Sequence, residues 1–205
     1  MRKILTFTLM LIFSNCVFSQ TESYGDYIAK NRKLREFTNL NKAIKKFKKV
    51  KSIDVANQEL SELPEDLSKL TKIVSINLLG NKFTTFPIVL SKIKTLNEIS
   101  LSTNKLQFIG KEIGELKNLR ILILNNNQLQ ALPIEIGQLT DLLYLEIGNN
   151  NLTSLPEEIK YLTKLQVLHA EGNNFNDEEK KRIKNLLPNC KIYFKINSPA
   201  YNSGL

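Results

Sequence analysis

Between Val50 and Phe175 the sequence repeats every 23 residues, and no other property narrows its folding so far. The clearest unit runs from Leu119 to Asp141, LRILILNNNQLQALPIEIGQLTD. Shifted by 23 residues, its first position reads Val50, Ile73, Leu96, Leu119, Leu142, Leu165, and its fourth reads Ile53, Ile76, Ile99, Leu122, Leu145, Leu168. Positions 1, 4, 6, 11, 14, 18 and 21 of the first five units are all Val, Ile, Leu or Phe, although only 42% of the chain is hydrophobic. One unit of this kind encloses nothing, so its apolar positions can be buried only by stacking copies into a continuous core.

Within each unit, positions 3 to 7 alternate as a short strand, with positions 4 and 6 turned to the core and the odd ones outward. Neighbouring units should therefore pair as a parallel sheet at about 4.8 Å spacing. Position 9 holds Gln58, Asn81, Asn104, Asn127, Asn150 and Asn173. A carboxamide there offers two donors and an acceptor to backbone groups left unpaired by the bend, which is a structural role. Position 15 holds Pro64, Pro87, Pro133 and Pro156, whose fixed φ suits the first residue of a short helical turn; Gly110 interrupts the series.

This pattern, LxxLxLxxNxLxxLPxxIxxLxx, resembles the leucine-rich repeat family in its 23-residue LPxxI subtype, over about two thirds of the chain. The resemblance implies an α/β solenoid, curved and right-handed, with the parallel sheet on the concave face, a helical N-cap and a helix-strand C-cap. It also implies a binding scaffold, because most members of the family bind other proteins, while the fold by itself names no ligand.

The flanks divide the remainder. Residues 1–19 carry Arg2 and Lys3, an apolar run from Ile4 to Phe13, and Val17 and Ser19 at the −3 and −1 sites, the layout of a secretory signal too short to span a bilayer. The expected product is exported, secreted or periplasmic. Lipid attachment at Cys16 is the alternative, disfavoured by Phe13-Ser14-Asn15 in front of it. Removal of residues 1–19 leaves Cys190 as the one cysteine, so no intramolecular disulfide can form. Residues 20–49 are expected to be a helical cap over the first repeat through Leu40, Ile44 and Phe47, with Thr38 or Asn39 at its N-terminus. From Ile28 to Lys51 the chain has ten Lys or Arg against Glu36 alone, where most of the net charge of +9 resides. A solvated face is the first reading of that run, and attachment to an anionic surface the second; no nucleic-acid motif accompanies it. Residues 50–175 form six repeats. Residues 176–205 supply a helix capped at Asn176 or Asp177, a last strand through Ile192 and Phe194, and a tail.

No nucleophile elbow, metal-ligand spacing or phosphate loop is present, so the sequence gives no catalytic residues and implies no cofactor or metal. Binding is read from the outward strand positions, which the core leaves free. Position 3 runs Ser52, Ser75, Glu98, Ile121, Tyr144, Val167, and position 5 runs Asp54, Asn77, Ser100, Ile123, Glu146, His169. The small polar character of the first half gives way to apolar groups in the second, rimmed by Glu146, His169 and Glu171. Ile121, Ile123, Tyr144, Glu146, Val167 and His169 are thus the expected partner-binding residues, for a protein ligand of a monomeric, non-catalytic scaffold. The alternative is an envelope structural or adhesion protein held to anionic surfaces by its basic N-terminal helix. Good strand formers packing on each other would produce the same apolar rows.

Overall fold

One short parallel strand recurs in every repeat because each repeat presents the same two inward hydrophobic positions after its first apolar anchor. In the computed structural model, which describes residues 36–46 and 50–195, the strands are β1 (Glu36–Phe37), β2 (Ser52–Asp54), β3 (Ser75–Asn77), β4 (Glu98–Ser100), β5 (Ile121–Ile123), β6 (Tyr144–Glu146), β7 (Val167–His169) and β8 (Lys191–Tyr193). They form a single sheet in the order of the chain, all parallel. From β2 to β7 the register is the sequence period itself: Ile53 faces Ile76, then Ile99, Leu122, Leu145 and Leu168. The strands occupy three residues each, positions 3 to 5, and are shorter than the five-residue alternation predicts. Backbone pairing nonetheless continues past them, as in Leu101 N donating to Ile123 O at 2.8 Å and Leu124 N to Glu146 O at 2.7 Å.

The opposite layer consists of 3-10 helices: Glu65–Lys69, Ile88–Lys92, Lys111–Glu115, Ile134–Gln138 and Glu157–Tyr161. Each begins one residue later than the proline pattern suggests, so the prolines are N-caps and not first helical residues. Pro64, Pro87, Pro133 and Pro156 hold φ between −63° and −70° with extended ψ, and Pro64 O accepts from Leu67 N at 2.9 Å. A residue that lacks an N–H but must offer a carbonyl is well placed there. Gly110 reaches the same conformation with φ −74°.

Between the two layers lies an interior filled by the repeat anchors. Val50, Ile53, Leu67, Leu70, Ile73, Leu78, Leu96, Leu122, Leu124 and Leu145 are wholly buried, and the cluster runs without a break from Phe37 to Leu187. The asparagines of position 9 stitch its edge. Asn150 Oδ1 accepts from Leu129 N at 3.0 Å, and its Nδ2 lies 2.9 Å from Ile147 O, 3.1 Å from Leu124 O and 3.2 Å from Gly148 O. Asn81, Asn104, Asn127 and Asn173 make the equivalent bonds one repeat apart. Just before each of them, and before Gln58 of the first repeat, the backbone turns left-handed, at Asn57, Gly80, Thr103, Asn126, Asn149 and Gly172. Thr103, with φ 54°, is β-branched in a region such residues avoid.

The ends depart from expectation in two respects. The N-terminal helix α1 (Leu40–Lys45) is capped by Asn39, whose Oδ1 accepts from Lys42 N at 3.0 Å, and it buries Ala43 with Leu40 partly covered. Ile44 is only half-buried, because a helix of six residues turns one narrow stripe inward and Ala43 holds it. Phe47, the expected signal and the rest of residues 1–35 lie outside the described residues. In addition, β1 extends the sheet by pairing Phe37 with Ile53, which a two-residue strand gives no periodicity to foretell. At the other end α2 (Asp177–Leu186) is capped by Asn176 accepting from Glu179 N at 2.8 Å, and it buries Ile183 while Leu187 closes the core behind it. Cys190 packs partly against that core, and burial pushes its thiol pKa up to about 12, so it stays a protonated packing group at neutral pH.

Candidate functional site: the outward face of the sheet

Parallel pairing in register carries the outward positions into two rows. One row runs Ser52, Ser75, Glu98, Ile121, Tyr144, Val167, and the other Asp54, Asn77, Ser100, Ile123, Glu146, His169. The six residues expected from the sequence therefore sit together on β5, β6 and β7, with Ile121 beside Tyr144 and Val167, and Ile123 beside Glu146 and His169. The side chains of Ile121, Ile123, Tyr144 and Val167 stand apart from the interior hydrophobic cluster.

Their exposure differs from the sequence reading. Ile121 and Ile123 are 1% exposed, Tyr144 7% and Val167 8%, so the apolar rows are shielded and not an open patch. Alternation along a strand fixes which side a residue takes, whereas exposure depends on what packs there; rows of β-branched and aromatic side chains about 4.8 Å apart contribute by covering one another. Tyr144 Oη donates to Gln166 Oε1 at 3.2 Å, which holds the ring along the sheet.

The shielding reaches the carboxylates. Burial pushes Glu98 up to about 7, against the lowering effect of Ser75 Oγ donating to its Oε2 at 3.3 Å. Glu146 is raised mainly by burial; the His169 charge pulls it down and Glu171 adds to the rise. For His169 burial favours the neutral ring, but the neighbouring Glu171 and Glu146 outweigh it and the pKa is raised. Nδ1 of His169 lies 3.5 Å from Glu171 Oε2, and its ring stacks on Tyr193 at 4.7 Å with planes 5° apart. Outward positions of β2 and β3 are better satisfied, with Asp54 Oδ1 accepting from Asn77 Nδ2 at 3.2 Å and from Ala56 N at 3.1 Å.

The sequence reading passed over Glu98 as a site residue, although the 23-residue offset places it directly beside Ile121. A carboxylate next to an apolar side chain in the same row was the available signal. Its raised pKa has a measurable consequence. Because folded Glu98 keeps its proton to about pH 7 while the unfolded carboxyl releases it near 4.5, the folded state binds more protons between those values, and stability falls as pH rises through that window. Glu146 and His169, also raised, act in the same sense. Glu98→Gln is expected to stabilise the protein at pH 8 by about 1 to 3 kcal/mol and to leave it unchanged at pH 4.5, as read by urea unfolding at both values. An equal effect at both pH values would show that the carboxyl is not buried as described.

Among the described residues no group of three or more His, Cys, Asp or Glu is placed to hold a metal ion, and no helix is long and apolar enough to cross a membrane.

Comparison with known proteins follows the repeat. Residues 103–187 match the family described as leucine-rich repeat region. No curated protein matches the chain in sequence. Among solved structures, the leucine-rich repeat protein LIC12759 of Leptospira interrogans is 30% identical over 78% of this chain and 58% of its own, with a TM-score of 0.49. The leucine-rich repeat ectodomain of the Arabidopsis thaliana membrane receptor kinase GASSHO1/SCHENGEN3, solved with CASPARIAN STRIP INTEGRITY FACTOR 2, is 37% identical over 63% of this chain and 16% of its own, with a TM-score of 0.57. The plant peptide hormone receptor RGFR1, solved with RGF2, is 29% identical over 63% of this chain and 22% of its own, with a TM-score of 0.56. The chain thus spans less than two thirds of each of these proteins. With the family match lying on repeats that pair in register and share one asparagine bonding scheme, the chain is a leucine-rich repeat protein.

Proposed function

We propose that this protein is an exported, non-catalytic scaffold that captures a protein or peptide on the outward face of its sheet. The observation that carries the reading is the placement of Ile121, Ile123, Tyr144 and Val167, four apolar side chains on adjacent strands yet outside the interior cluster that stabilises the fold. Apolar groups the core does not use, bordered by Glu146 and His169, form the centre-and-rim arrangement of an interaction surface. Support comes from the two plant receptors, one solved with CASPARIAN STRIP INTEGRITY FACTOR 2 and the other with RGF2. Because the face is shielded in the free chain, capture requires side chains there to rearrange, as in the substantial minority of complexes that reshape on binding.

Tyr144→Ala combined with Ile123→Ser tests the reading. With the fold intact by circular dichroism, capture of partner from native envelope or medium is expected to fall at least tenfold, about 1.4 kcal/mol. Undiminished capture would move the site off this face, and the basic N-terminal segment would be the next place to look.

A further inference from the structure

Three buried side-chain atoms among the described residues make no hydrogen bond: Ser100 Oγ, Asn125 Oδ1 and Glu171 Oε2, the last of which has only the His169 ring nitrogen 3.5 Å away. All three belong to outward positions of the sheet or its immediate continuation, at 5, 7 and 7 of their repeats, and Ser100 is only 5% exposed. All three can accept. Ser100 pairs with Ile123 across the sheet, and Asn125 follows Ile123 by two residues on the same side. A buried polar atom without a partner is uncommon and calls for an explanation, and three on one face call for a common one.

Carboxylates outnumber cations on that face, the cations being His169 and, on β8, Lys191 beside Val167. Across β2 to β7 the outward rows carry Asp54, Glu98 and Glu146 with His169, and neither Lys nor Arg. Glu98 faces Ser75 on β3 and Ile121 on β5, and Arg120 stands one residue before β5. Glu146 faces Ile123 on one side and His169 with Glu171 on the other. The chain as a whole is basic, with a net charge of +9, so this patch opposes the sign of the molecule that bears it.

We propose that the face over β4 to β7 takes an extended peptide of the pattern basic-x-apolar-x-basic, with one cationic group at Glu98 and the other at Glu146, and the apolar side chain over Ile121 and Ile123. The spacing follows from sheet geometry. Glu98 and Glu146 are two strands and two residues apart, which at about 4.8 Å per strand and 3.3 Å per residue separates their Cα atoms by about 12 Å. In an extended peptide, residues i, i+2 and i+4 point to one side and span about 13 Å. Arginine suits the ends because its guanidinium brings five donors to the acceptors around each carboxylate, Ser100 on the same strand as Glu98, and Asn125 and Glu171 in continuation of the strands either side of Glu146. Binding a cation favours the charged carboxylate, so affinity rises with pH while Glu98 and Glu146 lose their protons.

This inference rests on the proposed binding face, and the test separates the two. The probe is the capped peptide Arg-Ser-Leu-Ser-Arg, titrated by calorimetry into the full exported protein at pH 5.5 and pH 8. Binding is expected to be at least tenfold tighter at pH 8, to weaken at least tenfold in the Glu98→Gln/Glu146→Gln variant, and to be lost with Gln-Ser-Leu-Ser-Gln. Circular dichroism of the variant, with retained secondary structure, excludes unfolding as the cause. Equal affinity for the neutral peptide, or an undiminished affinity in the double variant, overturns the cationic assignment. If capture of the native partner depends on Tyr144 and Ile123 while the arginine peptide fails to bind, the cationic assignment falls and the binding face stands. If the arginine peptide binds but capture ignores Tyr144 and Ile123, the cationic assignment is upheld and the capture reading is the one that fails.

Discussion

Replacing Leu122 with alanine is expected to cost about 2 to 5 kcal/mol of folding free energy. Leu122 is completely buried in the middle strand of the solenoid, between Ile99 and Leu145 in the sheet, and its side chain points into the layer filled by the repeat anchors. A solenoid has no distant elements that could move in and fill the space, since each repeat touches only its neighbours. The cavity would therefore remain, and with it the loss of contacts on all its walls. Lys117→Ala, on an exposed side chain whose Nζ donates to Gln138 Oε1 at 2.6 Å, should change stability by less than about 0.5 kcal/mol. Urea midpoints of the two variants decide the matter. Equal midpoints would mean that the inward register is wrong.

The second large effect is expected at Asn150, where Asn150→Ala should cost about 2 to 4 kcal/mol. The carboxamide is 5% exposed and is held by Leu129 N and Leu124 O of the preceding repeat and by Ile147 O of its own. Alanine removes these bonds and leaves one buried donor and at least two buried acceptors with reduced satisfaction, each carrying part of its desolvation cost. Asn150→Gln is the informative companion. It retains the chemistry but displaces it by a methylene in a close-packed site, and should recover little. A glutamine variant as stable as the parent would show that any amide serves, and that the fit of the bend is not selective. Gln58 stands at the equivalent position of the first repeat, but its Nε2 reaches Thr38 O at 3.0 Å and leaves the bonding scheme of the asparagines.

These two residues also show why so much of the architecture could be read from the chain. Leu122 and Asn150 recur at fixed offsets, and a fixed offset converts directly into a neighbour across the sheet, so the period stated the register before any coordinates did. What has no period escaped. The strand Glu36–Phe37 occurs once, α1 buries Ala43 where the apolar spacing favoured Ile44, and Pro64 and its equivalents cap the 3-10 helices from one residue outside. At the candidate site the sequence placed Ile121, Ile123, Tyr144, Glu146, Val167 and His169 side by side, as they are. It gave no account of their shielding, nor of the environment that lifts Glu98, because solvation belongs to the assembled face and not to any strand within it.

The asparagine bonds have a bearing on how such a protein changes over evolutionary time. Asn104, Asn127, Asn150 and Asn173 each take their amide donor from the residue 21 earlier and give to carbonyls 26 and 3 earlier. Excising or duplicating one 23-residue block would bring an equivalent donor and equivalent carbonyls to each of them. Gene-level gain or loss of whole units is therefore nearly silent to the scaffold. Under the proposed binding function it is far from silent to recognition, because every inserted block widens the face by one strand, about 4.8 Å. Ligand length in this lineage would then vary in discrete steps, each set by a single duplication.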